Sequence, residues 1–389
     1  MTLLAAKTVF WLALAAVTYT YFGYALLLFI CYGLAQVRRD LQYVGNRRDR
    51  RRVDLDDAEL PPVTMFFTAY NEEEHLREKL RNTLELDYPK NKLHVVVVSD
   101  GSTDRTNKIL REVRDRRFEI VLQPTRAGKA TALKIAVERG RHGIFVLSDS
   151  STIFAPDALR KLVRHFADPA IGAVCGALSF EANPESRQTE GVYWKYETAL
   201  RLMEARLGAT LTPSGAIYAV RGEAYAPPSP DALVDDIVTL MHIRRQGYRV
   251  HYDPEARAVD YPAASVAGEF RRRVRISTGS FRALPGLLRV PMTGFTALAF
   301  FSHKLMRWLA PLFLLLLLGS NLFLLRDRTY AAALAVQAAL LLWAALGWLF
   351  RTHLVRVRFA LIAYFLVAMN LAFLVGLVRS FGGRKESAW

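Results

Sequence analysis

Leu93-His94-Val95-Val96-Val97-Val98 runs straight into Ser99-Asp100-Gly101-Ser102-Thr103-Asp104. A β-branched apolar run of this length predicts a buried strand, and the polar, glycine-containing tail predicts a turn at its carboxyl end. Asn107 to Arg114 then has helical character. The same order of signals recurs on both sides. Val63 to Ala69, bounded by Pro62, leads into Tyr70-Asn71-Glu72, and Glu72, Glu73 and Glu74 favour a helix start because carboxylates suit the positive end of a helix dipole. Gly143 to Leu147 ends at Ser148-Asp149-Ser150. Strand, polar edge and helix in repeated order predict an α/β domain, and open α/β sheets bind ligands just beyond the carboxyl ends of their strands. Three such edges in order point to a nucleotide site.

The composition fits such a domain only if the chain is segregated. Of 389 residues, 52% are hydrophobic and 23% charged, and 52 Lys and Arg against 36 Asp and Glu leave a net charge of +16. This excludes a disordered chain and a small disulfide-stapled one. The positive balance alone would fit nucleic acid, an anionic membrane surface or phosphorylated substrates. The two cysteines, Cys31 and Cys175, stand in unlike contexts without metal-ligand spacing, which argues against thiol or zinc chemistry.

The apolar excess lies at the two ends. Residues 8–37 contain no charged residue, more than enough to cross a hydrocarbon layer of about 30 Å as a helix. A signal peptide is the other reading, but its apolar region is only about 7–15 residues and ends at a small-residue cleavage site. Residues 308–325, 330–350 and 359–378 are three further uncharged stretches flanked by Arg, giving an expected four transmembrane helices. Residues 294–307 read as an interfacial amphipathic helix or as an extension of the next span. Arg38, Arg39, Arg47, Arg48, Arg50, Arg51 and Arg52 crowd the exit of the first span and place residues 38–291 in the cytoplasm. Arg351, His353, Arg356 and Arg358 then also fall inside, whereas Arg379, Arg384 and Lys385 fall outside, against the charge rule. The basic residues thus concentrate at membrane borders and no recognition motif is present, so nucleic acid is not an expected partner.

Several residues at the strand edges carry chemistry. Asp100 can accept hydrogen bonds from a base N–H or a ribose hydroxyl, although Asp-Gly-Ser-Thr-Asp standing alone also reads as a turn with a helix cap. Arg126 and Lys129 flank Gly128 in a basic loop that suits a diphosphate or, singly, solvent. Asp149 offers a hard oxygen donor of the kind that Mg2+ or Mn2+ takes, or is a turn residue at the strand end. Asp235 and Asp236 are adjacent carboxylates, a pairing that raises a pKa toward general-base range, or they cap the helix running toward Arg245.

Thr68-Ala69-Tyr70-Asn71-Glu72, Ser99-Asp100-Gly101-Ser102-Thr103-Asp104, Gly128-Lys129 and Ser148-Asp149 together resemble the nucleotide-sugar-binding half of family 2 glycosyltransferases. The membrane layout is similar to that of the branch containing hyaluronan, cellulose and poly-N-acetylglucosamine synthases. The resemblance implies a Rossmann-like α/β fold of the GT-A type, a nucleotide-diphosphate sugar donor of which UDP is the commonest carrier, and an inverting displacement. It implies donor contacts from Thr68, Tyr70, Glu72, Asp100, Arg126, Lys129, Arg272 and Arg275. Gly215-Ala216-Ile217-Tyr218-Ala219-Val220-Arg221 resembles the acceptor-cleft segment, and Val234-Asp235-Asp236 resembles the Thr-Glu-Asp motif, making Asp236 the base and Asp235 its orienting neighbour; Trp194, with Tyr193 and Tyr196, reads either as an acceptor stacking surface or as part of a helix packed on the domain or membrane.

Two departures stand out. The family's Asp-x-Asp pair reads Asp149-Ser150-Ser151, which leaves Ser151 to contact the metal directly or through water. The Gln-x-x-Arg-Trp slot reads Arg272-Arg273-Val274-Arg275-Ile276, which keeps the arginine but loses the aromatic platform. Both departures lean toward single transfer to a carbohydrate or glycolipid acceptor, and the membrane helices lean toward processive synthesis; the cluster from Arg271 to Arg275 also suits anionic lipid. The expected function is a multi-pass glycosyltransferase of a bacterial inner membrane. The alternative is a non-catalytic nucleotide-sugar-binding subunit of a complex with other polysaccharide synthesis or export proteins.

Overall fold

The computed structural model describes residues 2–46, 55–180, 190–212, 215–229, 233–261, 266–292, 294–350 and 358–382. Its centre is an eight-stranded sheet. The strands are β1 (Val63–Ala69), β2 (Leu93–Asp100), β3 (Phe118–Gln123), β4 (Ile144–Ser148), β5 (Ile153–Phe154), β6 (Ile171–Phe180), β7 (Ile217–Arg221) and β8 (Arg249–Asp260), in the spatial order β3-β2-β1-β4-β7-β6-β8-β5. The first half, β3-β2-β1-β4, is parallel, and β7 enters antiparallel to both β4 and β6. The expected α/β core is present, and the polar edges after β1, β2 and β4 lie side by side at one end of the parallel half.

Both faces of the sheet are covered, which explains the uninterrupted apolar runs. Met65, Phe67, Val95 and Val97 pack on one side, while Phe66, Val96 and Val98 pack on the other. All of β1 and β2 is buried. Each such side chain stabilises the fold by roughly 1.5–3 kcal/mol relative to exposure, so a polar residue at Val96 or Val97 would be disruptive.

The apolar ends form helices. Leu3–Gly45, Gly294–Leu322, Arg328–Leu349 and Ile362–Ser380 are four helices long and apolar enough to cross a membrane. Gly294–Leu322 is continuous, so the segment read as either interfacial helix or extension joins the following span directly. A π-helical turn interrupts it at Phe300–Leu305, and another interrupts the first helix at Tyr19–Gly23. Tyr19 of one turn and Ser302 of the other share a hydrogen bond of 2.7 Å. The basic stretches Arg47 to Arg52 and Arg351 to Arg356 lie outside the described residues.

One of these apolar helices braces the domain. Arg358–Ser380 packs along the Val266–Leu287 helix, which carries Arg272 and Arg275. The helices approach tightly at Gly376, where a Cβ would lie 2.4 Å from Ser277 Oγ. Only glycine permits this contact, so the helix bearing Arg272 and Arg275 is set against the last apolar helix.

Candidate active site

The edges after β1 and β2 are stitched together by side chains. Asn71 adopts φ 54°, and its Oδ1 accepts from the Thr103 N–H at 2.8 Å. In return the Asn71 N–H donates to Ser102 Oγ, and the Glu72 N–H donates to Thr106 Oγ1. Gly101 has φ 66°, and a Cβ there would meet Arg126 N at 2.4 Å, so glycine lets the basic loop close over the turn.

That closure changes the reading of Asp100. The side chain is fully buried, and its two oxygens accept from the Ala127 and Gly128 N–H groups, each at 2.7 Å. Its contacts are with the loop backbone, which it holds in place for Lys129 at the start of the Lys129–Val137 helix. Arg126 stacks 4.2 Å above the Tyr70 ring.

A cavity of about 430 Å³ gathers most of the remaining expected residues: Thr68, Glu72, Lys129, Asp149, Ser151, Gly215, Asp235, Asp236, Arg272, Arg275 and also Ile276. Tyr70, Asp100 and Arg126 lie outside its lining, and the side chain of Trp194 is outside the described residues. Lys129 Nζ sits 2.6 Å from Asp149 Oδ1. Burial opposes the Lys129 charge, but the carboxylates of Asp149 and Asp235 outweigh it and hold its pKa above the ordinary lysine value. Arg275 faces Asp235, Asp149 and Asp236, whereas Arg272 is bound to Glu269 at 2.8 Å.

Asp235 and Asp236 open the Asp235–Arg245 helix. Burial first, and the Asp235 charge second, raise the Asp236 carboxyl above its ordinary range. Asp236 Oδ1 accepts from the Ile237 N–H at 2.8 Å. Gly215 lies opposite, where a Cβ would stand 3.7 Å from Asp236 Oδ2. The absence of a side chain at 215 leaves room beside the carboxylate.

The cavity also holds residues not singled out from the sequence. Asp260, at the end of β8, accepts the Ser151 hydroxyl at 2.8 Å. Behind these strand ends, fully buried Lys79 donates to Ser148 Oγ at 2.7 Å and to the Thr152 carbonyl. Burial lowers its pKa to about 7, against the attraction of Asp149 and Asp260. A signal for Lys79 was present: Leu76, Lys79, Leu80 and Thr83 follow helical spacing and form the buried face of the Leu76–Leu84 helix. Where the cavity meets the long apolar helices, His303 Nδ1 is 2.7 Å from Glu204 Oε1, to which the Tyr24 hydroxyl donates. Arg307 pairs with Glu197 on the same wall.

Comparison with known proteins places this arrangement. Residues 61–279 match the family model described as glycosyltransferase like family 2, more than half of the chain. The chain belongs to that family. Among curated family relatives, the poly-beta-1,6-N-acetyl-D-glucosamine synthase of Staphylococcus aureus (strain COL) is 26% identical over 259 residues, covering 63% of this chain and 60% of the relative. The Staphylococcus epidermidis synthase of the same name is 24% identical over 245 residues, covering 60% of this chain and 58% of the relative. The chain therefore spans about three fifths of the length of these curated relatives. Among solved structures, a mannosyltransferase from Pyrobaculum calidifontis, in complex with GDP-Man and Mn2+, superposes with a TM-score of 0.68 at 23% identity, over 92% of this chain and 98% of that one. The α/β core is thus of the GT-A type expected for the family.

Proposed function

We propose that the chain is a membrane-embedded inverting glycosyltransferase, moving a sugar from a nucleoside-diphosphate donor to a carbohydrate or lipid-linked acceptor at the cytoplasmic face. The observation that carries this reading is the shared cavity, which has diphosphate-binding cations and Asp149 together with a carboxylate, Asp236, whose pKa is raised. Lys129 and Arg275 bind the diphosphate. Asp100 positions the loop bearing Lys129, and the Tyr70–Arg126 stack flanks the nucleotide side.

The donor set fits Mg2+ or Mn2+ because Asp149 and Ser151 offer hard oxygens, and the Lys129 ammonium already occupies a cation position on Asp149. No group of three His, Cys, Asp or Glu side chains suited to a metal occurs among the described residues, so diphosphate oxygens would have to supply further ligands. When bound, the ion neutralises charge developing on the departing diphosphate.

The acceptor hydroxyl attacks the anomeric carbon from the face opposite the diphosphate. The new C–O bond forms as the bond to the diphosphate oxygen breaks, and the hydroxyl proton passes to Asp236. The nucleoside diphosphate leaves with the bonding pair, and the configuration inverts. Asp235 keeps Asp236 basic through its like charge.

Ile276 in the cavity lining offers no aromatic face to a sugar, which favours single transfer over processive synthesis. A panel of nucleotide sugars offered to detergent-solubilised protein, with and without Mn2+ or Mg2+, tests the proposal. One donor class is expected to be consumed only with an ion, giving short products. Consumption of no donor under any ion would favour the non-catalytic subunit, and long polymer would overturn single transfer.

A further inference from the structure

Ser151 stands where the family resemblance places a second carboxylate, and the fold brings a carboxylate to it from 109 residues away. β5 follows Ser151 almost at once and pairs antiparallel with β8 in the register Ile153↔Val259 and Phe154↔Ala258. This pairing runs Asp260 alongside the Ser151–Thr152 step. Asp260 Oδ1 accepts from the Ser151 hydroxyl at 2.8 Å and from the Tyr261 N–H at 2.9 Å. Oδ2 accepts no hydrogen bond among the described residues, and Asp260 lines the cavity with Asp149 and Ser151.

The surroundings are built for two carboxylates rather than one. Lys79 is fully buried behind them, ties the end of β4 to the segment before β5 through Ser148 and Thr152, and attracts both Asp149 and Asp260. Lys129 places a cation on Asp149. A diphosphate that draws Lys129 away leaves the two carboxylates facing an ion.

We infer that Asp260 is the second carboxylate ligand of the metal centre, delivered across the β5–β8 pairing to replace the one absent at position 151. This rests on the metal-dependent transfer proposed above. The serine then bridges the two acidic positions, holding Asp260 Oδ1 and leaving Oδ2 for the ion.

Binding of Mn2+ to the full-length solubilised protein, read from loss of the free-ion EPR signal in the presence of UDP and separately of GDP, tests the assignment without turnover. Asp260→Asn is expected to weaken Mn2+ binding at least about tenfold, as Asp149→Asn does. Ser151→Asp combined with Asp260→Asn is expected to restore most of it, because the carboxylate returns to the family's position. Ser151→Ala is expected to change affinity only a few-fold. Should Asp260→Asn bind Mn2+ like the unmodified protein while Asp149→Asn does not, Asp260 is not a ligand and the transferase proposal survives. If Ser151→Ala reproduces the whole loss, Asp260 acts only through Ser151 and the direct role is overturned. Wild-type protein that binds no Mn2+ with either nucleotide overturns both the inference and the metal-dependent reading. The double variant also covers an Asp260→Asn protein that fails to fold, since rescue of folding without rescue of Mn2+ binding counts against the inference.

Discussion

Lys129 Nζ lies 2.6 Å from Asp149 Oδ1, so the group suited to a diphosphate holds the group suited to a metal. The two ligands of the reaction are thereby linked: each relieves the lysine or the carboxylate of its internal partner. Lys129→Met is expected to act in opposite directions on them. Mn2+ alone should bind more tightly once the competing ammonium is gone, while binding of the nucleoside diphosphate should weaken by about tenfold, the loss of one charge-assisted contact. Calorimetric titration with the ion and then with nucleotide reads both.

The Asp235–Asp236 pair sets a pH limit. A like charge beside a carboxylate disfavours its ionised form, and burial and Asp235 both raise the Asp236 pKa. The base is therefore lost as pH falls through a value above the usual aspartate range. Asp235→Asn removes one of the two causes and lowers the Asp236 pKa. The acid limb of kcat/KM is expected to move to lower pH in this variant, and an unchanged or upward-shifted limb would show that Asp236 is not the titrating base.

Gly215 tests the acceptor side. A Cβ there would make only ordinary contact with Asp236, at 3.6 Å to its Cβ, so Gly215→Ala should be tolerated within a few-fold. Gly215→Leu fills the space beside the carboxylate. Transfer to acceptor is expected to fall by more than about tenfold in that variant, since small misplacements near a reacting centre carry large rate penalties, while donor binding is unchanged. Nucleotide-binding titrations run beside the transfer assay separate the two effects.

Lys79 is a stability element. Its replacement by Met keeps much of the side-chain length but leaves Ser148 Oγ and the Thr152 carbonyl without their buried donor. A cost of about 1–3 kcal/mol per orphaned group is expected, read as a lowered thermal midpoint in detergent.

The parallel half of the sheet was legible because its signals are local. Val63–Ala69 and Leu93–Asp100 each announce a strand by composition, and the polar residues that follow them meet in space because parallel strands point their carboxyl ends the same way. The long uncharged runs were equally legible as helices able to span a bilayer. Asp260 was not legible, because it meets Ser151 only through a two-stranded pairing between distant segments. Asp100 shows the converse limit. A carboxylate at a strand edge can face a ligand or a backbone loop, and the choice was set by the closure of residues 125–128 over Gly101, which no spacing in the sequence encodes. The hydrogen-bonded set of Tyr24, Glu204 and His303, of which His303 lines the cavity, likewise joins three separate helices.

The central claim is that Asp236 takes the acceptor proton in the cavity that binds the donor diphosphate. Its most direct measurement compares Asp236→Asn with the unmodified protein, solubilised in detergent with Mn2+, for nucleoside-diphosphate release and for nucleotide binding. Nucleotide binding within a few-fold of the unmodified protein, with release reduced by at least about a hundredfold, is the expected result, in line with the usual contribution of a positioned general base. Release at an undiminished rate by a folded, nucleotide-binding Asp236→Asn protein would contradict it.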